Sequence, residues 1–215
     1  MQEAQAKGAP RGKNFWLLLG CLPTLLFIFF VFIACMVPLL IFAGPSAVTG
    51  VQQYNVDATY LDIDVPNVLP NDLKFIDFDV SKLKAFLNSK NSILADEPYI
   101  STIIDVAKEK DVNALFLFAI TGQEQAYVPR SDMNAYIIAN NPFNVNHSWY
   151  EYNTGIRDSC TIAANTIINL SSDRPASVNV VMWINLRGGS GGYAEDPNWW
   201  IGVSRNFEQI QKAVM

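Results

Sequence analysis

The stretch LFLFAITGQEQAYVPRS, Leu115–Ser131, is apolar through its first six positions and then carries one acid, Glu124, between two glutamines. A surface helix spreads several charges along a polar face. Here Ala114, Leu115, Leu117, Phe118 and Ile120 fall at all azimuths, which predicts a helix buried on nearly every side and ended by Pro129. The only carboxylate of that helix is saved for the end, where apolar residues give way to polar ones.

Around this segment the pattern stays helical. DVSKLKAFLNSK places Val80, Leu83, Phe86 and Leu87 at helical spacing behind an acidic cap, Asp79. In ADEPYISTIIDVAKEKDV, Asp96 reads as an N-cap with Pro98 in the first turn, and Ile100, Ile103, Ile104 and Ala107 form the apolar face. Residues 129–154 read as a polar, aromatic loop or a short hairpin. TGIRDSCTIAANTIINL reads as an amphipathic helix capped by Thr154. PASVNVVMWINLR suits either a helix or a strand, and a glycine-rich turn then leads into a last helix. The expected architecture is a mostly α domain over 75–215, with short helices around one buried central helix.

The N-terminal side has a different character. From Phe15 to Phe42, 28 residues contain no charged side chain. As a helix they reach about 42 Å, more than the roughly 30 Å of a bilayer core. A transmembrane anchor is therefore expected over 15–43. A cleaved signal peptide, whose apolar region spans about 7–15 residues, fits less well. Lys7, Arg11 and Lys13 precede the span and no Lys or Arg follows before Lys74, which predicts a cytoplasmic tail, 1–14, and an external C-terminal part. Residues 44–74, with prolines at 45, 66 and 70, read as an extracellular linker.

Charge and cysteine content exclude several functions. Beyond the tail, 12 Lys or Arg face 19 Asp or Glu, a net of −7, with no basic stripe for nucleic acid. Of three cysteines, Cys21 and Cys35 lie in the apolar span and Cys160 stands alone, so no disulfide is expected in the external part. The single histidine, His147, makes no metal site by itself, and no cofactor or metal is expected. What remains is Glu124. Partial desolvation at the end of an apolar helix raises a carboxyl pKa, and a carboxylic acid still protonated near neutrality can protonate a leaving-group oxygen, as glycosidic cleavage requires.

Three stretches occur in an order that resembles a known family: FAITGQE at Phe118–Glu124, NNPFNV at Asn140–Val145 and YAEDPNWW at Tyr193–Trp200. They are similar to the lysozyme-like peptidoglycan hydrolases of the glucosaminidase type, glycoside hydrolase family 73. The likeness covers roughly residues 75–215. It implies a lysozyme-like fold that cuts β-1,4 bonds of peptidoglycan glycan strands, with Glu124 as general acid and Tyr193 orienting water or stabilising positive charge on the sugar. Gln123, Asn141, Phe143, Asn144 and Trp199 would line the substrate cleft, together with Pro142. Trp199 and Trp200 suit sugar stacking, but at least one is expected in the core. Asp196–Pro197 is expected to form the turn that starts the last helix.

The pattern departs from the family where Gln125 replaces the usual Ser or Thr. No second acid stands in a recognisable motif either; Asp132 and Glu151 are the candidates, and the substrate's own acetamido group is a third route. Muramidase or lytic transglycosylase action on the same substrate stays open. So does a non-catalytic peptidoglycan-binding or scaffold role. An anchored enzyme of this kind suits local wall remodelling in bacteria, including work for an envelope-spanning secretion or conjugation apparatus.

Overall fold

The structure, a computed structural model, describes residues 66–186 and 191–215. The chain divides into two units, Met1–Val51 and Gln52–Met215, and every described residue belongs to the second. The expected tail and membrane span, and the linker up to residue 65, lie outside the described residues. Among those described, no helix is long and apolar enough to cross a membrane.

Among the described residues seven α-helices run in the order α1 Val80–Ser89, α2 Tyr99–Glu109, α3 Ala114–Gln125, α4 Ala135–Ile138, α5 Ile156–Ser171, α6 Val180–Leu186 and α7 Trp199–Val214. Single 3-10 turns sit at Asn71–Leu73 and Ile93–Ala95, and the described residues contain no strand. The domain is mostly α, as its periodicity predicts.

Helix α3 is the centre. All eight residues from Ala114 to Thr121 have 0% exposure, so no polar face exists over its first two turns. Removing most of one such side chain, as in Leu117→Ala, costs about 2–5 kcal/mol because lost burial and a residual cavity add. Helix α7 packs along α3 most extensively, with α2 and α5 also against it. Phe116 and Phe207 meet edge to face at 5.5 Å, and Asn206 Nδ2 donates to the Ala119 carbonyl at 3.2 Å.

Buried Asn113 starts α3 and uses its whole amide. Its Oδ1 accepts from Leu115 N at 3.0 Å, and its Nδ2 donates to the Asp72 carbonyl at 3.0 Å. Its own N–H reaches the Leu73 carbonyl at 2.8 Å. The end of the expected linker thus belongs to the domain, with Leu69 and Leu73 buried in the core.

Helix ends follow the expectation at Asp79, which accepts from Ser81 N and Lys82 N. Elsewhere they differ. Pro98, not Asp96, is the N-cap of α2, because the Asp96 carboxylate is taken by Arg130 at 2.7 Å. Gly155 caps α5, while Thr154 donates its hydroxyl to Asp158 at 2.9 Å. Helix α3 stops at Gln125, not at Pro129. Ala126, Tyr127 and Val128 follow with φ of 47°, 64° and 54°, a left-handed run that is costly without glycine and most of all for β-branched Val128. Tertiary bonds hold it: Ile93 N donates to Val128 O at 3.0 Å, Arg130 N to Asn91 O at 2.8 Å, and the Ser92 hydroxyl to Tyr127 O. Pro129 pairs with Ser92 as an isolated bridge. Of the ambiguous 175–187 stretch, Val180–Leu186 is helical as α6, and 129–154 holds the one-turn helix α4 among turns.

The return from α6 towards α7 depends on Gly192. A Cβ there would stand 1.5 Å from the Asn185 carbonyl oxygen, a backbone atom that cannot swing aside. Tyr193 N donates to the Ile184 carbonyl at 3.0 Å next to it. Gly192→Ala is therefore expected to destabilise the domain by about 1–3 kcal/mol through overpacking. Denaturant midpoints of the two proteins, at unchanged slope, would measure this.

Candidate active site

Loop 140–153 builds one wall of the site with side-chain amides in place of regular backbone pairing. An amide donates and accepts at once, so asparagine suits a segment without a ladder. Asn141 is fully buried; its Nδ2 donates to Val145 O at 3.0 Å and Tyr152 O at 2.8 Å, and its Oδ1 accepts from Val145 N at 3.1 Å. Ser159 of α5 donates to Asn140 O at 2.7 Å and fixes the loop to the helix behind it. Asn144 then turns at φ 51°, a conformation asparagine tolerates.

Glu124 ends α3 between this loop and α7. Its Oε1 accepts from the indole Nε1 of Trp199 at 2.5 Å, and its Oε2 accepts from Asn144 Nδ2 at 2.9 Å. The Asn144 amide cannot flip freely. Its Oδ1 accepts from Gln125 Nε2 at 2.8 Å and from Trp149 N at 3.3 Å, so its NH2 is left to face the acid. Gln125, the departure from the resembled family, thus orients the amide that holds Glu124.

Two opposing effects set the protonation of Glu124. Burial, the larger, raises the carboxyl pKa, while the Trp199 and Asn144 donors pull it down; the net direction is up. The donors occupy one lone-pair site on each oxygen, and about two of the four carboxylate sites remain for a proton.

Tyr193 stacks on Trp199, with ring centroids 4.7 Å apart and planes 22° from parallel. Its hydroxyl donates to the Phe143 carbonyl at 3.3 Å. Burial first, then the nearby Glu124 charge and Cys160, push that hydroxyl well above the ordinary phenol range. Tyr193 is therefore a neutral hydrogen-bonding group in this cleft and not a base.

Glu124, Phe143, Asn144 and Tyr193 line a cleft of about 460 Å³, closed by Val145, Asn146, His147, Ile162, Thr166, Ala194 and Glu195. That volume lies within the roughly 300–1,000 Å³ usual for small-ligand sites. The other expected contact residues stand elsewhere. Asn141 is the interior staple just described, and Pro142 is buried beside it. Gln123 lies against Gly202 of α7, where an added Cβ would come 1.8 Å from its Oε1. Trp199 is 2% exposed, a core residue that grips the acid from behind, and Trp200 is partly buried. Asp196 starts α7 as expected, its Oδ1 accepting from Asn198 N at 2.9 Å.

Asp132 and Glu151 do not line the cleft. Asp132 accepts from Asn134 N at 2.8 Å and Glu151 from the Ser148 hydroxyl at 3.0 Å, both in exposed turns. The carboxylate that does line it with Glu124 is Glu195, within the quoted YAEDPNWW. Ile162 and Thr166, from α5, carry no sequence signal because they sit four apart on an ordinary amphipathic helix. Cys160 is fully buried, and burial pushes its thiol up and out of reach of nucleophilic chemistry. Among the described residues no three His, Cys, Asp or Glu side chains gather to hold a metal ion.

No family model, curated protein or solved structure matches the chain.

Because the Trp199 donor favours the charged carboxylate, removing it raises the pKa of Glu124 further. Trp199→Phe keeps a ring in the core and loses the N–H. Carbon-13 NMR titration of glutamate-labelled protein is expected to show one carboxyl above the ordinary range in the wild type and higher still in the variant. An unchanged titration would show that the indole bond does not tune the acid.

Proposed function

We propose that the domain is a lysozyme-like peptidoglycan hydrolase of the glucosaminidase type, held at the cell membrane by the apolar segment 15–43. The observation that carries this reading is a half-buried carboxyl with a raised pKa, Glu124, opening into a cleft that Tyr193 also lines. The sequence resemblance supports it with the order of the three motifs.

In this reading Glu124 protonates the glycosidic oxygen as the C1–O bond breaks. The proton resides on a carboxyl site left free by Trp199 and Asn144, so orientation is set before substrate arrives. Tyr193, a neutral phenol beside the sugar, offers oxygen lone pairs and a dipole to the positive charge growing at C1. The cleft lining contains no Lys or Arg among the described residues, which suits an uncharged N-acetylated glycan. An outward-facing, anchored enzyme of this kind acts locally, in wall remodelling around an envelope-spanning assembly.

A second reading rests on a specific contact: both oxygens of Glu124 already have protein donors. That suits a carboxylate kept to join α3 to α7 in a non-catalytic peptidoglycan-binding protein. The two readings separate in one experiment. Full-length chain in detergent is incubated with purified peptidoglycan, wild type beside Glu124→Gln, and the reduced products are read by mass spectrometry. Wild type is expected to create reduced N-acetylglucosamine ends, and the variant to lose about 10²–10⁴-fold in rate, the range for a positioned acid. Reduced muramic or 1,6-anhydro ends would keep the acid and change the bond. Binding to the wall without new ends from either protein would favour the second reading.

The raised pKa also gives a sign for pH dependence. The acid is active while protonated, so kcat/KM is expected to fall as pH rises through that raised pKa. The protonated form is also the one the fold favours, so the site's contribution to stability is full at low pH and is lost through the same interval.

A further inference from the structure

We propose that Glu195 is the second carboxylate of this cleft and the base that activates the attacking water, an assignment that rests on Glu124 acting as the glycosidic acid. Glycoside hydrolysis by single displacement needs one carboxyl to protonate the leaving oxygen and another, on the opposite side of the sugar, to take a proton from water. Of the two acids expected from the loop after α3, neither Asp132 nor Glu151 lines the cleft. Among the described residues, the acids that do are Glu124 and Glu195.

The backbone around Glu195 is fixed from both sides by one buried amide. Asn185 Oδ1 accepts from Ala194 N at 3.3 Å, and Asn185 Nδ2 donates to the Asp196 carbonyl at 2.9 Å. Tyr193 N is held on Ile184 at 3.0 Å. The neighbouring acid, Asp196, is committed to starting α7 through Asn198 N. That leaves Glu195 as the acid of the segment available to the cleft. It is exposed, whereas Glu124 is half-buried. The two carboxyls thus meet contrasting surroundings, one desolvated and one in contact with water, the division of labour that an acid and a base require.

The step balances as follows. Glu124 gives its proton to the glycosidic oxygen, the C1–O bond breaks with its electron pair on that oxygen, and a water oxygen bonds to C1 from the opposite face. That water's proton passes to Glu195. Bulk water then returns a proton to Glu124 and removes one from Glu195. The new reducing end has inverted configuration at C1. A route through the substrate's acetamido group, or through a covalent bond to a carboxylate, retains it.

The test uses the full chain in detergent on a soluble glycan-strand fragment, with the anomer of the first product read by proton NMR. Wild type is expected to release the inverted anomer. Glu195→Ala is expected to lose about 10²–10⁴-fold in kcat with KM changed only a few-fold. Sodium azide should restore turnover in Glu195→Ala as an inverted glycosyl azide, since a small anion needs no base, and should leave Glu124→Gln inactive. Retained configuration, or a Glu195→Ala variant with full kcat, overturns the assignment while the loss in Glu124→Gln still supports the acid. A wild type without hydrolysis overturns both.

Discussion

The indole N–H of Trp199 meets Glu124 at 2.5 Å, and most of the site follows from that contact. It brings the first residue of α7 against the end of α3, the two helices that pack most extensively. It places Tyr193, stacked on the same indole, beside the cleft. It also moderates the acid: burial alone would push the carboxyl pKa higher, and the buried donor returns part of that shift. A core residue and a chemical group are thus the same pair of side chains.

The second constraint is the asparagine loop. With no strand to organise 140–153, four amides at 140, 141, 144 and 153 make the contacts that a ladder would supply elsewhere. Asn144 links this scaffold to the acid, and Gln125 fixes which end of its amide points there. The resembled family's usual Ser or Thr after the glutamate is shorter. The glutamine here reaches across to the loop, so the departure has a physical counterpart in the site.

Much of this was legible without coordinates. Seven successive apolar residues, Ala114–Ile120, at all azimuths predict an interior helix, and the period of α1, α2 and α5 follows from their apolar spacing. The acid stood out because it closes the most apolar helix. Helix ends were less legible. Asp96 has the chemistry of a cap, yet Arg130, 34 positions later, takes its carboxylate. Pro129 has the chemistry of a helix stop, yet a left-handed run held by Asn91–Ile93 ends α3 first. Both outcomes were decided by partners distant in sequence.

The sequence by itself determined the helical class and the buried centre, and it singled out Glu124 as the one acid of the most apolar helix. Those features depend on local periodicity and on the chemistry of single residues. Tertiary structure alone decided what surrounds the acid. It turned Asn141 inward as a staple, put Trp199 behind Glu124 instead of in the cleft, moved Gln123 onto Gly202, and set Glu195 on the cleft in place of Asp132 or Glu151. Such placements depend on which helices meet and at what height, and hydrophobic packing between segments far apart in the chain sets both.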